Sequence, residues 1–268
     1  MRTVVIALSF VLPIAAAPAQ VPSPALKAAV AAPTRTPANT ARDTYRHPAE
    51  TLAFFGIKPG DTVVELWPFG GWYTEILAPY LAKGGGTLIV ASPPGKYADQ
   101  IATKLDADPA TYGKVRRAFF PSGLGSEQVA PGTADVVLTF RNIHNWRMGY
   151  LSADKQDYSV AAFRQIYAML KPGGVLGIEE HRMPESMDTA GEMSSGYIKV
   201  STVRRLAEQA GFRFAGASEV NANPKDTHDY PKGVWTLPPS YAEKDVDRAR
   251  YTAIGESDRM TLKFVKPK

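Results

Sequence analysis

Between residues 43 and 268 the chain alternates short apolar runs with stretches whose apolar residues return every three or four positions. Val63, Val64 and Leu66 flank a single acid, Glu65, after the turn signal Lys58-Pro59-Gly60-Asp61, which predicts a buried strand over 63–66. A turn with Gly70 and Gly71 follows, and then Tyr73, Ile76, Leu77, Tyr80 and Leu81 fall at helical spacing. Further strands are predicted over 86–92, 115–120, 134–140, 175–180, 212–220 and 260–265, and helices over 96–105, 157–170 and 197–210. A short helix over 47–56 leads into the first strand, with Pro48 in its first turn and Gly56 closing it. Seven strands alternating with helices predict an α/β domain. Its sheet is doubly wound and mostly parallel, with helices on both faces and ligands at the strand C-terminal ends.

The ends of the pattern differ from its middle. Arg2, an apolar run over 3–16 and the small residues of Ala17-Pro18-Ala19 have the form of a secretory signal peptide of bacterial type, cleaved before Gln20. An uncleaved anchor is the alternative, because Pro18 sits inside the cleavage site. The expected destination is the periplasm or the medium, with no stable membrane insertion after cleavage. Residues 20–42 are rich in Ala, Pro and Thr without periodicity and read as a disordered linker, so the folded domain is expected over 43–268. Residues 221–257 carry Pro224, Pro231, Pro238 and Pro239 and read as a long loop, either a lid or an insertion. Within it, 229–235 either closes over a substrate or packs on the surface through Trp235.

Composition narrows the chemistry. At 268 residues and 44% hydrophobic content, one large core is expected. The absence of cysteine excludes disulfides, thiol nucleophiles and cysteine metal sites. The net charge of +5 is scattered, apart from pairs such as Arg116-Arg117 and Arg204-Arg205, so no nucleic-acid partner is expected.

The strand, glycine turn and helix over 62–81 have the form of the first unit of a nucleotide-binding sheet. Glycines let the backbone approach a ligand, the helix N-terminus offers free N–H groups, and an acid at the strand end accepts from a ribose or an amino group. Any α/β crossover shares this pattern, and the two readings stand level. Glu179, Glu180 and His181 end the fifth strand, where alternation sends Glu179 and His181 to one side and Glu180 to the other. Salt bridges to basic neighbours such as Arg182 account for them better than a metal does. His47 and His228 lack ligand spacing, and no metal is expected.

Leu170-Lys171-Pro172-Gly173-Gly174 before the fifth strand, Leu206-Ala207-Glu208-Gln209-Ala210-Gly211-Phe212 before the sixth, and Ser257-Asp258-Arg259-Met260 before the last are spaced as in one family. Over 43–268 the chain resembles the class I S-adenosylmethionine-dependent methyltransferases. Within them it is similar to a branch of exported bacterial proteins with Glu65-Leu66-Trp67-Pro68 and Asn142-Ile143-His144-Asn145-Trp146 segments. The resemblance implies a Rossmann-like sheet with an antiparallel last strand, S-adenosylmethionine as cofactor and a small-molecule acceptor.

The resemblance also assigns roles. Glu65, Gly70 and Gly71 would hold the cofactor. Trp67 and Phe69 stand where the family has glycine, and would narrow the methionine pocket or stack on the ligand. Ala91-Ser92 replaces the second acid, leaving Ser92 as a neutral acceptor for the ribose, roughly half as strong as a charged one. The loop after the fourth strand would face the transferred methyl group, with His144 as general base, Asn142 positioning the acceptor and Trp146 stacking on it. Alternatively His144 caps the loop and Trp146 is core. Two functions remain open: an exported methyltransferase, or a non-catalytic binding protein that kept the fold. The acceptor and the oligomeric state are not legible.

Overall fold

A computed structural model describes residues 20–121 and 128–268, so the expected signal segment 1–19 and residues 122–127 lie outside the described residues. Among the described residues eight strands form one sheet: β1 (Thr62–Leu66), β2 (Thr87–Ser92), β3 (Arg116–Phe119), β4 (Ala134–Phe140), β5 (Leu170–Met183), β6 (Ile198–Lys199), β7 (Arg213–Ser218) and β8 (Arg259–Val265). Their order is β3-β2-β1-β4-β5-β8-β7. The first five pair in parallel, while β8 lies antiparallel to both β5 and β7. The seven predicted strands are present. The two-residue β6 is additional, pairing with the end of β5 at Arg182 and Met183.

The helices are α1 (Pro24–Val30), α2 (Pro37–Thr40), α3 (Asp43–Arg46), α4 (Pro48–Phe55), α5 (Thr74–Gly84), α6 (Lys96–Ala107), α7 (Pro109–Tyr112), α8 (Ile143–Arg147), α9 (Ser159–Met169), α10 (Val200–Gln209) and α11 (Arg248–Ile254). Strand alternation distributes them over two cores. Val64, Ile89 and Val137 face one side, where Phe163 of α9 and Val203 of α10 pack. Val63, Val90 and Val136 face the other, where α4, α5 and α6 bring Leu52, Ile76 and Ile101. Among the described residues no helix is long and apolar enough to cross a membrane.

Three expectations change. Residues 20–42 are not a linker in the structure. Ser23 caps α1 by accepting the Leu26 N–H, and Leu26 is buried against the second core. The segment is then tied down by Arg35–Asp43 at 2.6 Å, by Thr36 on the Glu75 carboxylate, and by the Trp72 indole N–H donating to the Asn39 carbonyl at 3.0 Å. Long-range partners, rather than apolar periodicity, order it. Strand β5 starts at Leu170, so the Lys171-Pro172-Gly173-Gly174 turn is drawn into the sheet through a register shift against β4. Finally, 221–257 contains α11 and a 3₁₀ turn, Gly233–Thr236, with Tyr230, Leu237 and Tyr251 packed as a small core of its own.

Candidate functional site

Two cavities open at the C-terminal ends of the parallel strands. The larger, about 530 Å³, lies over β4 and β5; the smaller, about 190 Å³, lies over the β1 turn. Arg42, Arg46, Phe69, Phe140 and Arg141 border both, so they form the junction between the two.

Glu65 lines the smaller cavity with Gly70. Its carboxylate accepts from the Thr74 hydroxyl at 2.6 Å. Burial pushes its pKa up to about 7, against the opposing pull of Thr74 and Lys104. Trp67 and Phe69 both adopt left-handed backbone, φ 48° and 47°. The turn therefore takes the shape that glycines would give it, at a strain these side chains must offset. Trp67 does so in the core. It donates its indole N–H to the Phe120 carbonyl at 3.0 Å and packs edge-on against Trp146. Phe69 keeps its ring at the junction, edge-on to Tyr97. A Cβ on Gly70 would meet only Gln100 Nε2 at 3.7 Å, but one on Gly71 (φ 75°) would come within 2.9 Å of Lys104 Cδ and 3.0 Å of Ile101 Cδ1. Gly71 thus serves the packing of α6 on the turn. Ser92 is buried, its hydroxyl has no partner, and it lines a separate cavity of about 200 Å³ beside α6.

The loop after β4 divides in two. Asn142 is fully buried, its amide donating to the Leu66 carbonyl at 3.0 Å and to Thr139 Oγ1 at 3.2 Å, which ties β4 to β1. Trp146 is also fully buried, among Trp67, Phe120 and Phe163. Neither borders these two cavities, whereas His144 and Asn145 line the larger one. His144 Nδ1 donates to Glu180 Oε1 at 2.9 Å, which leaves Nε2 as the basic nitrogen. Glu180 is held by backbone N–H groups of Ile143 at 2.6 Å and His181 at 2.9 Å. His181 Nδ1 lies 2.6 Å from the Ser257 hydroxyl, and its ring stands 5.2 Å from that of His144. Burial, His144 and the nearby Arg141, Arg259 and Arg46 hold His181 well below the usual histidine range, so it is neutral. Trp235, from the 3₁₀ turn, stands edge-on to His144 at 6.0 Å and lines the larger cavity.

The junction is built of arginines. Arg46 is buried, stacks on Trp72 at 4.8 Å and bonds Glu256 at 3.0 Å. Arg42 and Arg259 share the same Glu256 at 2.7 and 3.1 Å, and Arg141 stands 4.0 Å from it. Burial alone would raise Glu256, but Arg46, Arg259, Arg141 and Arg42 outweigh it and hold the carboxyl at about 2. Glu179 faces Arg259 at 3.1 Å and accepts from the Tyr73 hydroxyl at 3.0 Å. The expected bridge from the β5 acids to Arg182 does not form, because Arg182 pairs with Asp258 and Glu219.

His144, Glu180 and His181 place one ligand atom each within 4.8 Å of one another. Both Glu180 oxygens are already engaged by N–H donors, and the neighbouring arginines surround His181 with positive potential. That donor set favours proton handling over a dication. Arg42, Arg46, Arg141, Glu256 and Tyr97 were not singled out from the sequence. The spacing of Arg42 and Arg46, four residues apart beside a supposed linker, was the available signal.

No family model matches the chain, and no curated protein does. Solved structures do. A SAM-dependent methyltransferase from Aquifex aeolicus shares 14% identity over 84% of this chain and 93% of its own, with a TM-score of 0.56. A Galdieria sulphuraria protein assigned as a sarcosine dimethylglycine methyltransferase shares 13% over 86% and 88%, with a TM-score of 0.57. Phosphoethanolamine N-methyltransferase 2 of Haemonchus contortus, in complex with S-adenosyl-L-methionine, shares 16% over 81% of this chain and 51% of its own, at 0.51. The chain has the class I methyltransferase fold. At such identities the likeness carries the architecture alone.

Proposed function

We propose that the protein is an S-adenosylmethionine-dependent methyltransferase acting on a small molecule. The observation that supports this most is the His144–Glu180 pair at the end of β4 and β5, opening on the cavity beside the Glu65 turn of a methyltransferase fold. The residues of the smaller cavity fit the ammonium of the cofactor. Glu65 offers it a carboxylate, and Gly70 leaves the backbone clear. When bound, the cofactor supplies an electrophilic methyl group. The chain would align an acceptor against it, exclude water under Trp235, and take up the acceptor's proton on His144 Nε2.

Ser92 favours a second reading. With no acid after β2 and Ser92 lining another cavity with its hydroxyl buried, the ribose lacks its charged partner, as in a binding protein that kept the fold without turnover. Titrating the purified protein with S-adenosylmethionine and S-adenosylhomocysteine by calorimetry separates the two. Saturable one-to-one binding is expected, and no heat up to millimolar ligand would leave the binding protein as the better reading.

The charged start, apolar run and Ala17-Pro18-Ala19 support export and action outside the cytoplasm. Mass spectrometry of the native protein is expected to find Gln20 as its N-terminus. Intact Met1 in the cytosol would rule this out.

A further inference from the structure

We propose that Arg42, Arg46 and Arg141 form a subsite for an acidic group, a carboxylate or phosphate, on the molecule that occupies the larger cavity; on the methyl-transfer reading above, that molecule is the acceptor. Four arginines meet here, these three and Arg259, and two carboxylates answer them. Glu256 is shared by Arg42, Arg46 and Arg259, and Glu179 faces Arg259. Glu180 is engaged by His144 and backbone amides, and even with it counted the positive charge is in excess. Glu65 shares the smaller cavity with these arginines, but the cation that lowers its pKa is Lys104. Among the described residues Glu256 is the only carboxylate lining the larger cavity, against three arginines.

The donors are also under-used. Arg46 is 2% exposed, yet its Nη1 has no hydrogen-bond partner, and the same holds for Arg42 Nη2 and Arg259 Nε. Buried guanidinium N–H groups without acceptors are costly, and an anion supplies what they lack. The planar fork of arginine matches carboxylate and phosphate in two-point contact. Burial, together with mutual repulsion, lowers the pKa of Arg46 and Arg141, as expected of cations short of counter-charge. Much of the remaining wall is aromatic or apolar, with Phe69, Tyr97, Phe140, Tyr150 and Trp235 beside Met148 and Val234. The ligand class is therefore a small acid with an apolar or aromatic body, its acidic group on the arginines and its reacting atom towards His144.

The cofactor's own carboxylate is the competing source, because the same arginines border the smaller cavity. Calorimetry on the full protein with inorganic phosphate and with malonate, each in the absence and presence of saturating S-adenosylhomocysteine, separates the two. One saturable anion site is expected, retained when S-adenosylhomocysteine is bound. Arg141→Met is expected to weaken it at least tenfold with an unchanged thermal transition, and Arg141→Lys to recover part of the loss. Anion binding abolished by S-adenosylhomocysteine would assign the arginines to the cofactor and overturn the acceptor subsite. Absence of phosphate and malonate binding, or equal affinity in Arg141→Met, would overturn it as well. Anion binding by a protein that ignores S-adenosylhomocysteine would keep the anion site and sink methyl transfer, so the two failures are distinct.

Discussion

His144 Nδ1 and Glu180 Oε1 meet at 2.9 Å across the ends of α8 and β5, with both residues buried. The carboxylate can only accept from the ring, so it fixes the tautomer that presents Nε2 as a base.

His144→Ala is therefore expected to lower single-turnover methyl transfer by about 10²–10⁴-fold. S-adenosylhomocysteine affinity should stay within a few-fold, because Glu65 and the glycine turn lie on the other cavity. Unfolding of the variant would mark His144 as a buried cap; unchanged turnover would mean that the acceptor arrives already deprotonated.

Glu256→Gln should be strongly destabilising. It leaves Arg42, Arg46 and Arg259 facing one another without a counter-charge, a loss of about 3–5 kcal/mol for a buried ion pair stripped of one partner. The folded carboxyl titrates at about 2, below its ordinary 4.5. Its contribution is thus complete above pH 4.5 and lost as pH falls towards 2. Denaturant unfolding of both proteins at pH 7 and pH 3 checks this: the gap should narrow at pH 3, and an equal gap would contradict the assignment.

Glu65 has the opposite sign. Its folded pKa of about 7 lies above the ordinary 4.5, so between these values the native state binds more protons than the unfolded one. Stability drawn from this residue falls as pH rises through that window, by on the order of 3 kcal/mol once complete. Glu65→Gln, which cannot ionise, should gain on the native protein in thermal melts between pH 5 and pH 8. A constant difference across the window would show that Glu65 titrates normally.

The two glycines should behave differently. Gly71→Ala places a methyl group 2.9 Å from Lys104 Cδ in a left-handed conformation, and is expected to cost about 1–2 kcal/mol in urea unfolding. Gly70→Ala has room in the fold but borders the smaller cavity, so it should leave unfolding nearly unchanged while weakening S-adenosylhomocysteine. Reversed effects would exchange the two roles.

Several site residues were legible in part. Glu65 and Gly70 come together as the strand–turn–helix pattern implies, and His144 reaches the cavity that the loop after β4 borders. Asn142 and Trp146, on either side of His144 in the same segment, turn inward instead. Ser92 faces α6, and Gly71 serves α6 rather than a ligand.

Periodicity is a local property, and it alone determined the strands, the five longest helices, the two-faced sheet and the sheet end at which the two cavities open. Tertiary structure decided which polar groups converge there. Left-handed backbone at Trp67, Phe69 and Arg141 redirects side chains that a two- or 3.6-residue period would have placed elsewhere. Arg46 finds Glu256 across 210 residues, and Thr36 finds Glu75, so the segment that composition marked as a linker becomes a wall of the site. Pairings of that range depend on the closed fold bringing distant charges into a space that excludes water, which no local window of sequence contains.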